Sequence, residues 1–263
     1  MKLEHAMSGL AELDGDIDAL IHIHSKDLSS SHRFFLIAEL CQKHDREDTA
    51  LAWAERGLLA SGKNTDYRLL DFCIDAYVRR REFDKADAFA WQRFTHHPSA
   101  SAFSALMKVA KSTGKLDETR NRALDHLRAL IAEEEAAKSK RATWQRSSRT
   151  ELVIIFLADK RNDDAWATFI GGPVAAQLWP DMAATRGKTH PHDAIALYHR
   201  LLPIALENGS HTAKYDEAFE AVKAIGTLRA GLGEHAEFTN ELEEIRVTYR
   251  AKRNFIKLLA QLS

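Results

Sequence analysis

One apolar pattern recurs along this chain with its register kept, and it confines the fold to stacked helical hairpins. Counted from Ala50, the residues at offsets 0, 3, 4 and 8 are Ala50, Trp53, Ala54 and Leu58, which lie on one face of a helix. The same offsets from Ala86 give Ala86, Phe89, Ala90 and Phe94, and from Ala194 they give Ala194, Leu197, Tyr198 and Leu202. Weaker copies begin at Thr119 (Ala123, Leu127), Ala165 (Phe169) and Phe238 (Leu242, Arg246, with Ile245 beside it). Upstream of each origin a second stripe falls at offsets of minus 16, 13, 12 and 9. It reads Phe34, Ile37, Ala38, Cys41, then Leu70, Cys73, Ile74, Tyr77, then Phe103, Leu106, Met107, Ala110. Steps of 3, 1 and 3 mark an amphipathic helix that buries one stripe. Short polar turns, His44 to Asp48, Arg80 to Asp84 and Thr113 to Asp117, join each pair. The chain holds 40 Ala against 6 Val, an excess of the best helix former over a strand-favouring residue, so strands are not expected.

The first origins are 36 and then 33 residues apart, and their offsets of large, small and aromatic residues resemble the tetratricopeptide repeat, whose period is about 34 residues. Pro98 stands where that pattern closes a repeat. The copy departs from the pattern in two ways: bulky Ile74 and Met107 occupy a position usually given to a small residue, and the aromatic at Trp53 and Phe89 comes one residue early. More narrowly, RLLDFCIDAYVRRREFDKADAFAWQRF (68 to 94) and LAWAERGL (51 to 58) resemble the helical region after the zinc module of bacterial SWIM zinc-finger proteins. IDALIHIHSKDLSS (17 to 30) resembles a related bacterial helical family of unknown function. The zinc module needs a Cys-x-Cys and a later Cys-x-His, because tetrahedral zinc takes four closely placed ligands. This chain has only Cys41 and Cys73, both on buried stripes, so they read as small core hydrophobes in a reducing compartment.

The fold expected is all-α, a tetratricopeptide-like α-solenoid of about six hairpins forming a single helical-repeat domain over 1–263. Regular repeats cover 17–135, a long helix end and loop 136–150, and degenerate repeats with a C-terminal cap 151–263. Thr119 to Ala165 is 46 residues, and the excess over one repeat is read as a lengthened second helix and a loop. Glu151 to Ala158 has a strand-like composition, but Leu152, Val153 and Phe156 fall in helical register. Gly171, Gly172 and Pro173 break a shortened repeat. Pro180 suits the first turn of a helix, whereas Pro203 falls inside one. The last hairpin is expected over roughly 214–232 and 234–259.

Lys plus Arg number 37 and Asp plus Glu 38, so no global field draws the chain to nucleic acid or anionic lipid. The opening MKLEHAMSGL lacks a signal-peptide core, and the longest apolar run, Leu152 to Ala158, is far short of a bilayer span; a cytoplasmic protein without membrane contact is expected. His22 with His24 and His190 with His192 invite a metal, yet residues two apart on a helix diverge, and the second pair reads as a capping turn. No phosphate loop, nucleophile elbow or paired-carboxylate motif is present. The expectation is a chain that is not an enzyme and carries neither cofactor nor metal.

Two binding surfaces remain. The tetratricopeptide resemblance implies that first helices line a concave groove, at offsets minus 18, 15, 11, 8 and 7. Those positions are His32, Phe35, Glu39, Gln42 and Lys43, then Arg68, Asp71, Asp75, Val78 and Arg79, then Ser101, Ser104, Lys108, Lys111 and Ser112. Lys43, Arg79, Lys108 and Lys111 suit the carboxylates of an extended peptide or chain terminus, since charge-assisted bonds exceed neutral ones. The alternative is nucleic acid held by Lys138, Lys140, Arg141, Arg146 and Arg149, with Trp144 to stack a base. Glu133, Glu134 and Glu135 precede that stretch directly, as on a solvated helix of mixed charge. The expected function is a non-catalytic scaffold that binds a peptide or protein segment in its groove, with a nucleic-acid-associated accessory role as the alternative.

Overall fold

The computed structural model describes residues 15–62, 66–137, 147–208 and 215–262. The described residues form fourteen α-helices and two short 3-10 turns, and they include no strand. Their contacts divide into two compact units, Met1–Leu127 and Arg128–Ser263.

In the first unit a short helix, α1 (Ile17–His24), precedes α2 (Ser31–Lys43), α3 (Glu47–Ser61), α4 (Tyr67–Arg79), α5 (Phe83–His96) and α6 (Ala100–Thr113). α7 (Leu116–Ala136) crosses the division between the units. α2 packs on α3 and α4 on α5, each pair is joined to the next through α3 on α4 and α5 on α6, and α2 also touches α4. The buried set follows the offsets closely, although Met107 and Leu58 are only half-buried and Leu51, Leu69 and Val109, beside the stripes, are buried too. Phe34, Ile37, Ala38, Cys41, Leu70, Cys73, Ile74, Tyr77, Phe103, Leu106 and Ala110 are buried, and so are Ala50, Ala54, Ala86, Ala90 and Phe94. The early aromatics rest on the flank of that core: Phe89 stacks on Tyr77 at 5.7 Å, and Arg56 lies 4.8 Å over Trp53. Burial pushes the Cys73 thiol up to about 12 and raises Cys41 as well, so both behave as small hydrophobes rather than reactive thiols.

The second unit continues with α8 (Ser148–Ala158), α9 (Asn162–Ile170), a 3-10 turn (Ala176–Leu178), α10 (Trp179–Arg186), α11 (Pro191–Asn208), α12 (Asp216–Leu232), α13 (His235–Thr248) and α14 (Arg253–Leu259). α8 packs on α9, α10 on α11, α11 on α12 and α12 on α13. Within each unit, consecutive antiparallel pairs stack as in an α-solenoid. The strand-like stretch is helical, with Leu152, Val153 and Phe156 buried. Pro180 sits in the first turn of α10, and Pro203 lies inside α11.

The hairpin turns share a geometry that the sequence disguises. Five residues before five of the six origins stands a residue with positive φ: Asp45 (59°), Arg81 (61°), Gly114 (73°), Lys160 (58°) and Gly233 (75°). The next amide always reaches back over the same span. Arg46 N donates to Cys41 O, Glu82 N to Tyr77 O, Lys115 N to Ala110 O, Arg161 N to Phe156 O and Glu234 N to Arg229 O, at 2.8–3.0 Å. This is the Schellman closure, in which a left-handed residue lets the chain reverse and satisfies an orphan carbonyl. Only two of the five positions are glycine.

The last hairpin differs from the expected pair. α13 ends at Thr248 and a separate α14 begins at Arg253. A helix advances about 100° per residue, so continuing α13 would place Phe255 about 220° round from Leu242, on the solvent side. The break instead returns Phe255 and Leu259, both fully buried, to the core of Leu202, Tyr215, Ala218 and Leu242.

Candidate peptide-binding surfaces

The groove positions of the first unit lie on α2, α4 and α6. His32, Glu39, Gln42, Lys43, Asp75, Arg79, Ser101, Ser104, Lys108, Lys111 and Ser112 are exposed; Phe35, Arg68, Asp71 and Val78 are half-buried. Several of them are joined to one another. Arg68 donates to both Asp66 oxygens (Nε 3.0 Å, Nη2 2.6 Å), approaches His32 Nδ1 at 3.0 Å and lies 4.8 Å over the Phe35 ring. Asp66 in turn caps α4 by accepting from Arg68 N, and Arg68 holds its carboxyl below the usual range. Asp71 meets Arg93 at 3.1 Å, and Arg93, whose side chain is 8% exposed, also lies 4.7 Å over Tyr67. Burial raises the Asp71 carboxyl, and Arg93 opposes that rise. These two residues, with Ile74, Asp75, Ser101 and Ala105, line a cavity of about 190 Å³. Arg79 stands 4.0 Å from Glu47. Lys43, Lys108 and Lys111 pair with no other described residue.

The second unit holds a larger concavity, about 1200 Å³, beyond the three helices that the groove offsets cover. One wall is the segment Val174–Gln177 with Pro180, Asp181 and Ala184 of α10; the other is Asp216, Glu217, Glu220, Ala221 and Ala224 of α12. Tyr198, Leu201, Ile204 and Ala205 of α11 form the floor. A smaller cavity of about 260 Å³ shares Ala184, Tyr198, Glu220 and Ala224 with it and extends to Gly187 and Leu228. Two sequence properties make the room. α10 has eight residues, whereas the first helices α2 and α4 have thirteen. Alanines at 175, 176 and 184 on one wall and at 221 and 224 on the other keep the facing side chains small. The offset minus 18, which selects His32, Arg68 and Ser101, selects Glu220 when counted from Phe238, so a signal was present.

The wall at Val174–Ala175 is held from α8. Thr150 is buried; its Oγ1 accepts from Ala175 N at 3.1 Å and lies 2.9 Å from Ser147 Oγ, whose side chain caps α8. Arg149 lies alongside, donating to Thr168 O at 2.9 Å and bonded to Glu135. The paired glycines answer to that guanidinium: a Cβ at Gly171 would stand 2.7 Å from Nη1, and one at Gly172 2.8 Å from Nε. Gly171 and Gly172 thus permit close approach, and Arg149, one of the basic residues of the 138–149 stretch, is built into the fold. Lys138, Lys140, Arg141, Trp144 and Arg146 lie outside the described residues.

The mouth of the larger groove is acidic. Asp181, Asp216 and Glu217 pair with no other described residue, Glu220 bonds Lys223 at 3.2 Å, and no cationic side chain is among the described residues that line it. Tyr198 is 8% exposed and has no hydrogen-bond partner among the described residues, and burial raises its hydroxyl pKa, with Asp181 adding to the rise. Of the histidine pairs, His190 lies 2.8 Å from Thr189 Oγ1 and His192 2.9 Å from Glu234. Among the described residues no three His, Cys, Asp or Glu side chains are grouped to hold a metal. No described helix is long and apolar enough to cross a membrane.

No known sequence family matches the chain, and no curated protein does. Solved structures similar to it are helical-repeat proteins. A tetratricopeptide repeat protein from Parabacteroides merdae is 12% identical with a TM-score of 0.37, covering 98% of each chain. The TPR2AB domain of yeast Sti1, solved with an HSP90 peptide, is 14% identical with a TM-score of 0.35, again covering 98% of each. Human IFIT1, solved with a capped oligonucleotide, is 14% identical with a TM-score of 0.37; it matches 88% of this chain, which spans 57% of the IFIT1 chain. Likenesses this loose place no residue.

Proposed function

We propose that this chain is a non-catalytic protein-interaction scaffold that holds a segment of a partner protein in the groove between α10 and α12. The observation that carries the reading is the groove itself. Its 1200 Å³ exceeds the ~300–1,000 Å³ usual for small-molecule sites, and its floor is apolar and preformed on packed helices. Concave faces of stacked hairpins offer extended, rigid surfaces of this kind. The polar face of α2, α4 and α6 is the second candidate surface, with Lys43, Lys108 and Lys111 left to meet carboxylates.

Affinity capture of the tagged chain from its native lysate, with nuclease treatment, tests the reading. A defined protein is expected to survive nuclease, to be lost with Ala184→Trp, which fills the groove from an exposed position, and to persist with Lys108→Glu/Lys111→Glu. Loss with the lysine pair alone would move the site to the first unit. Recovery that depends on nucleic acid would remove the scaffold reading and turn attention to the basic stretch at 138–149.

A further inference from the structure

The groove specifies more than a protein segment. Its shape is that of a missing stretch of helix: α2, α4 and α6 have 13, 13 and 14 residues, whereas α10 has 8. Alanines at 184, 221 and 224 keep both walls low, so that another backbone can come close. An occupant burying an apolar stripe against Leu201, Ile204 and Ala205 would present it at helical spacing, as amphipathic helices do in hydrophobic grooves.

The chemistry of the rim selects the occupant's charge. Asp181, Asp216 and Glu217 are unpaired among the described residues, and they border an apolar cleft from both walls with no cation among the described residues that line it. A cleft lined by one sign of charge focuses its field and steers the opposite sign inward. Lysine and arginine fit that rim for a second reason, because their alkyl stems extend along apolar surface while the charged ends reach outward. Tyr198, nine-tenths buried and without a hydrogen-bond partner among the described residues, offers a hydroxyl at the floor.

We propose that the groove receives an amphipathic helix of a partner protein whose apolar stripe is bordered by lysine or arginine. The proposal rests on the scaffold reading and adds the chemistry of the occupant. A nucleic acid or an acidic peptide would place like charge against the rim.

The test uses the full chain and two labelled fourteen-residue model helices with the same leucine stripe, one bordered by lysine and one by glutamate, titrated by fluorescence anisotropy. The lysine helix is expected to bind saturably and at least tenfold more tightly than the glutamate helix. Ala184→Trp is expected to weaken it at least tenfold with the far-UV CD spectrum unchanged. Asp216→Lys/Glu217→Lys, both exposed, is expected to narrow or invert the preference. If the glutamate helix binds as well as the lysine helix, and Ala184→Trp removes both, the groove stands as a binding site and the basic occupant is wrong. If neither helix binds, or if Ala184→Trp and Ala224→Trp leave lysine-helix binding untouched, the groove reading itself fails.

Discussion

Arg81 and Gly114 occupy the same turn in successive hairpins, and exchanging their residue types should move stability in opposite directions. Arg81 has φ of 61° and Gly114 of 73°, and each is followed by the same backward amide bond. A side chain in the left-handed region costs about 1–2 kcal/mol, whereas glycine loses about 0.5–1 kcal/mol more backbone entropy on folding. Arg81→Gly should therefore stabilise by about 0.5–1 kcal/mol, since the exposed Arg81 side chain has no partner among the described residues to lose. Gly114→Ala should destabilise by about the same amount. A Cβ at Gly114 would meet nothing within 4 Å, so the loss would come from backbone conformation alone. For a chain of this size 1 kcal/mol moves Tm by about 2–4 °C. Thermal melts followed by far-UV CD should show Arg81→Gly about 2 °C above and Gly114→Ala about 2 °C below the parent. Lys160→Gly should behave like Arg81→Gly; Asp45→Gly should gain less, because aspartate tolerates the left-handed region better. A fall in Tm for both Arg81→Gly and Lys160→Gly would refute the shared-turn account.

Three further outcomes follow from the packing and the ion pairs. A Cβ at Gly57 would stand 2.6 Å from Phe34 Cβ and 2.9 Å from Leu69 Cδ1, so Gly57→Ala should destabilise by about 1–3 kcal/mol despite the better helix propensity of alanine, as read by chemical denaturation. Thr150→Val keeps the shape but leaves Ala175 N without its acceptor, which should cost about 1–3 kcal/mol and increase amide exchange at Val174 and Ala175. The Arg229 guanidinium, and then His192, hold the Glu234 carboxyl below its ordinary range. A depressed acid stabilises above its unfolded pKa and loses that contribution as pH falls through the folded one. The stability gap between the parent and Glu234→Gln should thus be present at neutral pH and close in the acid range, and a gap that persists unchanged at low pH would count against the pairing.

The legible part of the fold was the part written in periodicity. Ile37, Cys41, Leu70 and Leu106 are core residues because a stripe at steps of 3, 1 and 3 can only face inward, and even the strand-like Leu152–Phe156 segment followed register rather than composition. The turns were less legible, since three of the five left-handed positions carry Asp, Arg or Lys; the surrounding hairpin imposes a conformation those residues do not announce. The break between α13 and α14 was hidden because a long charged helix and a broken one look alike until Phe255 must reach the core. The groove of the second unit went unread for a related reason. It consists largely of what is missing, a short α10 and small side chains at 184, 221 and 224, and only Glu220 of its rim falls on a groove offset. The groove positions of the first unit fall on α2, α4 and α6, but no pattern in the residues announces that Arg68 and Asp71 are engaged by Asp66, His32 and Arg93.

Whether a partner protein lies in the groove between α10 and α12 can be read by site-specific photo-crosslinking in the native cell. A photoreactive amino acid at position 184, inside the groove, is compared with one at position 236, exposed on α13 and outside it. A discrete protein adduct is expected at 184, absent at 236 and lost when Ala224→Trp fills the opposite wall. Adducts of equal yield at both positions, or none at 184, would contradict a partner in that groove.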